Sequence, residues 1–358
     1  MTLAVVASLG ALACCAVVYA SARVFVERPS LAPVDVPDAR RLHTRPTPRA
    51  GGIALPFVVS LACAALLVTG NGGASAGTLA IAVLAFALPN GVLGAIDDYR
   101  PLRSRVKFGL QIAFAAAFVV VGPRVTELAV PPLLHVALGP LAAPFTALFL
   151  VWSTNVFNFM DGMDALAAGS GVVFFAALAA LALLFVPGGA PIAAVCAAAG
   201  AGLVGFLALN RPPARIFMGD GGALFVGALL GVVSVLVASS PAGAAPTVPF
   251  ASVALAVGPF LWDATYTLFF RIARREDWLH PHRRHLFQRL ALSGATHGRV
   301  RVIYFALAVG AAAAAVALPS LAPWAAGCVI TIALAAFSAL SIAAGRAERA
   351  AATQGSSS

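Results

Sequence analysis

The chain has 358 residues, 61% of them hydrophobic and only 10% charged, with a net charge of +10. That composition excludes a soluble globular domain of this length. The basic surplus does not point to nucleic acid, because it is dispersed among loops between apolar runs instead of forming one basic face with interleaved aromatics.

Eleven apolar runs follow one another, each long enough to cross a bilayer. They cover 3–26, 52–70, 77–96, 106–122, 139–157, 169–187, 191–209, 221–239, 248–270, 300–318 and 323–344. This predicts an all-α integral membrane protein with about 11 transmembrane helices. Residues 1–346 are expected to form a single polytopic domain, and 347–358 a disordered tail. The first run contains "YASA", which resembles a leader-peptide cleavage site, but no basic segment precedes it, so a retained helix is expected. All five cysteines fall inside apolar runs without metal-ligand spacing and read as small buried hydrophobes.

If the first span runs from outside to inside, 22 of the 23 Lys and Arg residues lie on the inner side, and Arg124 alone lies outside. This predicts an outer N-terminus and a cytoplasmic C-terminus. It also predicts attraction to anionic lipid or an anionic substrate. Of the thirteen acids, only Glu127 falls outside. Orientation is set by Lys and Arg, so this bias in carboxylates marks the cytoplasmic loops as the working surface.

Four stretches carry the chemistry. In "GAIDDYRPLRSRVKFGLQ", Asp97 and Asp98 are adjacent carboxylates that repel unless a cation stabilises both. Mg2+ would do so and leave positions open for phosphate, whereas the ordinary alternative is an interfacial stop signal. Lys107, the only lysine in the chain, suits a compact phosphate contact. In "NVFNFMDGMDALAAG", Asn155, Asn158, Asp161 and Asp164 recur every third residue. Such a step drifts around an ideal helix, so the four are expected to wrap a helix end, with Gly162 breaking the helix. Capping would account for one or two of them. In "ARIFMGDGGALFVG", Asp220 lies among glycines that open a helix N-terminus, a place that favours anions; an N-cap is the alternative. No Walker motif is present. In "HPHRRHLFQRL", His282, Arg283, Arg284 and His285, with His280 and Arg289, can form a phosphate clamp, an amphipathic basic helix or a zinc site lacking a cysteine partner.

Taken in order, these motifs resemble the polyprenyl-phosphate N-acetylhexosamine-1-phosphate transferases, from about Asp35 to Arg301. The resemblance begins with "DVPDARRLHTRPTPRAGGIA". It implies transfer of a HexNAc-1-phosphate from a UDP-sugar to undecaprenyl phosphate in the bacterial inner membrane, with release of UMP and a need for Mg2+ or, in its place, Mn2+. By the same resemblance Asn158, Asp220 and Asp98 are metal-associated, and Asp97, Asp98 and Lys107 are catalytic. Asn155, Asp161, Asp164, His282, Arg283, Arg284 and His285 then bind the nucleotide sugar. There are departures: Ala165 stands where many members have Gly, Ala223 where many have Ser, and Asp38 where Asn is usual. The His–Arg run looks more like the branch that initiates O-antigen and related surface glycans than the phospho-MurNAc-pentapeptide translocase branch. A homodimer is left open. A multi-pass transporter is the competing reading, with Asp263 its best intramembrane candidate. A CDP-alcohol phosphotransferase would need a run of spaced aspartates that no segment supplies.

Overall fold

The computed structural model describes residues 3–36, 46–70, 73–239, 246–277 and 282–355. Asp38 and His280 lie outside the described residues. The chain forms α1 (Leu3–Glu27), a hairpin of β1 (Val34–Asp35) and β2 (Thr47–Pro48), then α2 (Leu55–Thr69), α3 (Gly73–Ala82), α4 (Leu88–Tyr99) and α5 (Ser104–Val121). A second hairpin, β3 (Glu127–Val130) and β4 (Leu134–Ala137), leads to α6 (Ala142–Met160), α7 (Leu166–Phe185), α8 (Ala190–Asn210) and α9 (Gly219–Ala238). The remainder is α10 (Phe250–Ala256), α11 (Gly258–Ala273), α12 (Leu286–Leu292), α13 (His297–Ala317) and α14 (Pro323–Gly355). Both hairpins are antiparallel, with Val34 opposite Pro48 and Glu127 opposite Ala137.

Among the described residues nine helices are long and apolar enough to span a membrane, or ten if α10 and α11 form one bent span. Eleven were expected, and two places account for the difference. The run 52–70 yields only the 15-residue α2, about 22 Å at the rise of an α-helix and short of a ~30 Å hydrocarbon core. Its first residues are spent on a loop that pairs with the strand-like entry to α9: Gly51 and Gly52 donate to the carbonyls of Phe217 and Met218 at 2.9 and 3.0 Å. The run 248–270 is broken, with α10 and α11 meeting at 87°. Pro259 at the start of α11 lacks an N–H and would crowd the preceding turn, so the helix cannot pass straight through. A wider turn at Val83–Ala87 stands just ahead of Pro89 for the same reason, and Gly73–Tyr99 still makes one span. The tail also differs from expectation. The helix α14 continues through 347–355, where Glu348 is held by Arg289 of α12 at 2.7 Å.

At the centre stands α9, with every residue from Gly221 to Ala238 buried. A helix apolar on all sides belongs inside a bundle. It packs on α4 and α6, and more lightly on α7 and α10. At its N-terminal end the approach to α4 is as close as backbone permits. A Cβ on Gly94 would lie 2.2 Å from the carbonyl oxygen of Asp220. The atom met is backbone and cannot swing aside. Gly94→Ala should therefore push α4 and α9 apart, costing about 1–3 kcal/mol of stability. Thermal unfolding and turnover of the purified variant check this, and both should fall together.

Candidate active site

Helix ends meet at one end of the bundle: the C-termini of α6 and α8 and the N-termini of α7, α9 and α13, with α12 and the β1–β2 region beside them. They line a cavity of about 270 Å3 with Asn158, Asp161, Asp164, Asn210, Asp220, Arg49, Asp35, Gln288 and His297, among others.

Asp220 is its electrostatic hub. Its Oδ1 is 3.0 Å from Arg49 Nη2, and its Oδ2 is 3.4 Å from Lys107 Nζ. Its side chain is thus not spent on capping α9. Asp98 does that from the neighbouring helix. Its Oδ1 accepts from the backbone N–H of Asp220 and its Oδ2 from that of Gly221, both at 2.9 Å. A carboxylate is stabilised at a helix N-terminus by the free N–H groups and the helix dipole. Arg49 Nη2 adds a contact to Asp98 Oδ1 at 2.8 Å. Asp97 holds the lysine that also reaches Asp220. Its Oδ1 accepts from the N–H of Leu102 at 2.7 Å, and its Oδ2 pairs with Lys107 at 2.6 Å. Asp97 and Asp98 are therefore almost enclosed, whereas Asp220 reaches the cavity.

The Asn–Asp stretch wraps a helix end, as its spacing suggested. The helix α6 stops at Met160, Asp161 takes the C-cap position, and Asp164 sits in the turn before α7. Asn158, Asp161 and Asp164 line the cavity. Asn155 lies one three-residue step back and has rotated away. Its Nδ2 donates at 2.8 Å to Gln111 Oε1 on α5 and to the carbonyl of Val151. Burial, followed by the carboxylate of Asp220, pushes the Asp161 carboxyl well above its ordinary range, against the pull of Arg49. Asp164 Oδ2 accepts from Ala214 N–H at 3.0 Å. Asn210 Oδ1 accepts from Ala165 N–H at 2.8 Å and Nδ2 donates to the Ile216 carbonyl at 2.8 Å, so the turn and the 211–216 loop are pinned together. Ala165 adopts φ 60°, a left-handed conformation that costs an alanine about 1–2 kcal/mol. Ala165→Gly should relieve part of that and raise the thermal midpoint slightly, leaving turnover unchanged.

The His–Arg run goes elsewhere. His285 is buried and its Nδ1 is 3.1 Å from Asp263 Oδ1. Arg284 pairs with Glu276 at 3.3 Å and Glu348 at 3.5 Å. The His282 Nδ1 accepts from the Arg284 N–H at 3.2 Å, and burial, followed by the charges of His285 and Arg271, lowers its pKa to about 3. It is therefore a neutral imidazole at physiological pH, not the cationic donor a clamp would want. None of His282, Arg283, Arg284 and His285 lines the cavity, whereas Gln288 and His297 further along do. Asp263, the residue a transporter would use, is 0% exposed and accepts bonds from Thr267, His285, Tyr304 and the N–H groups of Leu286 and Phe287. It clamps α11, α12 and α13 and faces no described cavity.

Sequence reasoning missed Arg49, one of several arginines in a Pro-rich loop. The following Gly51–Gly52 pair was the available signal. A Cβ on Gly52 would come 2.5 Å from Gly222 Cα, so this loop has to lie against α9.

The profile of the family described as "Glycosyl transferase family 4" matches residues 80–238, which hold Asp97, Asp98, Lys107, Asn158 and Asp220. The chain is 32% identical over 295 residues to a "Probable undecaprenyl-phosphate N-acetylglucosaminyl 1-phosphate transferase" of Bacillus subtilis, covering 81% of this chain and 78% of that protein. The chain belongs to glycosyl transferase family 4. This family 4 protein is also 37% identical over 204 residues to a "Phospho-N-acetylmuramoyl-pentapeptide-transferase" of Trichormus variabilis, over 53% of each chain. A protein of the same name from Deinococcus radiodurans is 35% identical over 196 residues, covering 51% of this chain and 59% of that one. These last two alignments reach little more than half of either partner. The family 4 chain is an enzyme of the phosphoglycosyl transferase class and a multi-pass membrane protein.

Among the described residues no three His, Cys, Asp or Glu side chains form a group that could hold a metal ion by themselves. The donor set nonetheless fits Mg2+, which usually takes one or two protein carboxylates and completes its shell with water and substrate phosphate. Asp220 and Asp161 supply the carboxylates and Asn158 an amide oxygen, all lining one cavity. Burial first, and then the negative charge of Asp220, hold the Asp161 carboxyl high, and a cation would relieve the second of these.

Proposed function

We propose that this protein transfers a HexNAc-1-phosphate from a UDP-sugar to undecaprenyl phosphate, releasing UMP and initiating a lipid-linked cell-surface glycan. The observation that carries this reading is the single cavity on which Asn158, Asp161, Asp164 and Asp220 converge, with Arg49 and Lys107 on the two oxygens of Asp220. It is supported by the name of the Bacillus subtilis relative, which aligns with most of the chain and points to GlcNAc as the sugar.

In the reaction an oxygen of undecaprenyl phosphate attacks the β-phosphorus of the UDP-sugar. The new P–O bond forms as the bond to the bridging oxygen breaks, and UMP leaves with the electron pair. The difficulty is repulsion: two unit charges ~4 Å apart interact by ~4 kcal/mol at an effective dielectric near 20. Arg49 lines the cavity and Lys107 stands behind Asp220, so two cations serve a site where positioning and electrostatic stabilisation do most of the work of phosphoryl transfer. Asp220 and Asn158, with Asp161 beside them, would hold Mg2+ (or Mn2+), which when bound neutralises diphosphate charge and orients the leaving oxygen.

Asp97 and Asp98 we assign as positioning residues. Their oxygens already accept bonds from Lys107, Leu102, Asp220 and Gly221, so Asp97 aims the lysine and Asp98 fixes the start of α9. A phosphate monoester with a second pKa near 6 is largely dianionic at pH 7, so the acceptor does not require a base. Asp164 and Asn210 shape the wall available to the base of the nucleotide, and the contacts expected of His282, Arg283, Arg284 and His285 pass to Gln288 and His297. The charge distribution supports a cavity facing the cytoplasm of a bacterial inner membrane.

The test is direct. Purified protein, undecaprenyl phosphate and Mg2+ are incubated with a panel of UDP-sugars, and the lipid product is identified by mass. UMP release with a UDP-HexNAc, and a lipid heavier by one HexNAc-1-phosphate, is the expected result. No UMP with any sugar, or sugar flux across proteoliposomes without conversion, would overturn the reading.

A further inference from the structure

A second cleft, of about 440 Å3, opens between α11, α12 and α14. One wall is Trp262, Tyr266 and Phe270, spaced four residues apart and so on one face of α11. The Trp262 indole N–H donates to the Ser341 hydroxyl of α14 at 2.9 Å and joins the two helices. The other end of the cleft is basic, lined by Arg274, Arg289 and Arg349. The guanidinium carbons of Arg274 and Arg289 stand 4.4 and 4.9 Å from the centroid of the same Phe270 ring, so two like charges contact one aromatic ring.

Arg289 is the decisive group. It is only 5% exposed, and its Nε and Nη2 donate to Glu348 at 3.2 and 2.7 Å. Its Nη1 is buried with no hydrogen-bond partner among the described residues. Glu348 therefore compensates only one edge of this guanidinium, and the rest of its charge adds to the positive end of the cleft. Glu348 is the one carboxylate in the lining and is shared with Arg284 at 3.5 Å. Arg274 and Arg349 are exposed and make no ion pair among the described residues. The cleft thus carries a net positive end and an aromatic wall, on a helix that begins inside an apolar bundle.

We propose that this cleft binds an anionic membrane phospholipid, with its phosphate on Arg274, Arg289 and Arg349 and an acyl chain along Trp262, Tyr266 and Phe270. Arg forks suit phosphate oxygens, and Trp and Tyr favour the headgroup level of a bilayer. A zwitterionic headgroup would bring a further cation against three guanidiniums. The short α12 divides the two sites: Gln288 lines the catalytic cavity and Arg289 the cleft. An occupied cleft would hold that wall of the cavity in place.

The test counts lipid and not turnover, so it stands or falls apart from the sugar-phosphate reaction. The full chain is reconstituted in vesicles of equal phosphatidylglycerol and phosphatidylcholine, extracted gently, and its retained lipids are counted by native mass spectrometry. Wild-type protein should retain phosphatidylglycerol over phosphatidylcholine by about tenfold, and Arg349→Gln should lower that preference by about fivefold, the share expected of one arginine at a lipid surface. Arg346→Gln, on the same helix but outside the lining, should leave it unchanged. Arg274→Gln is the second cleft variant should Arg349→Gln fail to fold. No preference in the wild type, or equal losses at Arg346 and Arg349, would overturn the proposal. Displacement of the retained phosphatidylglycerol by undecaprenyl phosphate, one for one, would also overturn it, by giving the cleft to the acceptor.

Discussion

Asp220→Asn should lower UMP release by at least about a hundredfold, the scale on which enzymes lose rate when one preorganised electrostatic group is removed. The substitution keeps the shape of the side chain but takes away the charge that Arg49 and Lys107 share at 3.0 and 3.4 Å. It also removes the carboxylate best placed to meet a cation at the cavity. The thermal midpoint should scarcely move, because Asp220 is not a cap and its two cations keep their contacts to Asp98 and Asp97 at 2.8 and 2.6 Å. Asp98→Asn provides the contrast. An amide cannot accept from both the Asp220 and Gly221 N–H groups, so one of its own hydrogens would face a donor. That variant should lose stability and activity together. If Asp220→Asn retained activity within a factor of about two, the assignment of this residue to the reacting phosphates would be wrong.

The largest effect on stability is expected at Asp263. Five donors converge on this fully buried carboxylate from α11, α12, α13 and the His285 ring. Asp263→Ala takes the shared acceptor from all five, and of them Thr267 keeps a second, the Arg284 carbonyl at 3.4 Å. Removing one partner from a buried charged network typically costs about 3–5 kcal/mol, because the groups left behind are desolvated and unsatisfied. Thermal unfolding in detergent should show a large drop. Activity should be lost with it, since α12 would no longer be held where Gln288 lines the cavity. Asp263→Asn, which still offers one oxygen, should fall between the two. A melting curve for Asp263→Ala that overlays wild type would refute the clamp.

The spans were legible because bilayer thickness imposes a length and an apolarity that any reader of the sequence can count. What hydropathy could not register was geometry within an apolar run. The 87° turn at Val257–Gly258 and the late start of α2 change no residue's polarity. The site was legible where the chain places several carboxylates and amides close together, as at Asp161 and Asp164, or where glycines announce a tight approach, as around Asp220. It was not legible where long-range pairing decides. Arg49 looks like its neighbours in the loop until Gly51 and Gly52 are seen bonded to 217–218. The dense basic run at 282–285 looked like a phosphate reader, yet His285 turns inward to Asp263 and Arg284 outward to two glutamates. Spacing along the chain records which groups are available, and only the fold records whether a carboxylate has already claimed them.

The complete enclosure of α9 implies a particular tolerance to change. A helix with one lipid-facing side accepts enlarged or swapped residues on that side, and a saturation scan reads this as a ripple with the period of the helix. From Gly221 to Ala238 no such side exists. Fitness plotted along that stretch should be uniformly low for bulky and polar replacements, without the ripple, whereas α5, with only 17% of its residues enclosed, should show it clearly.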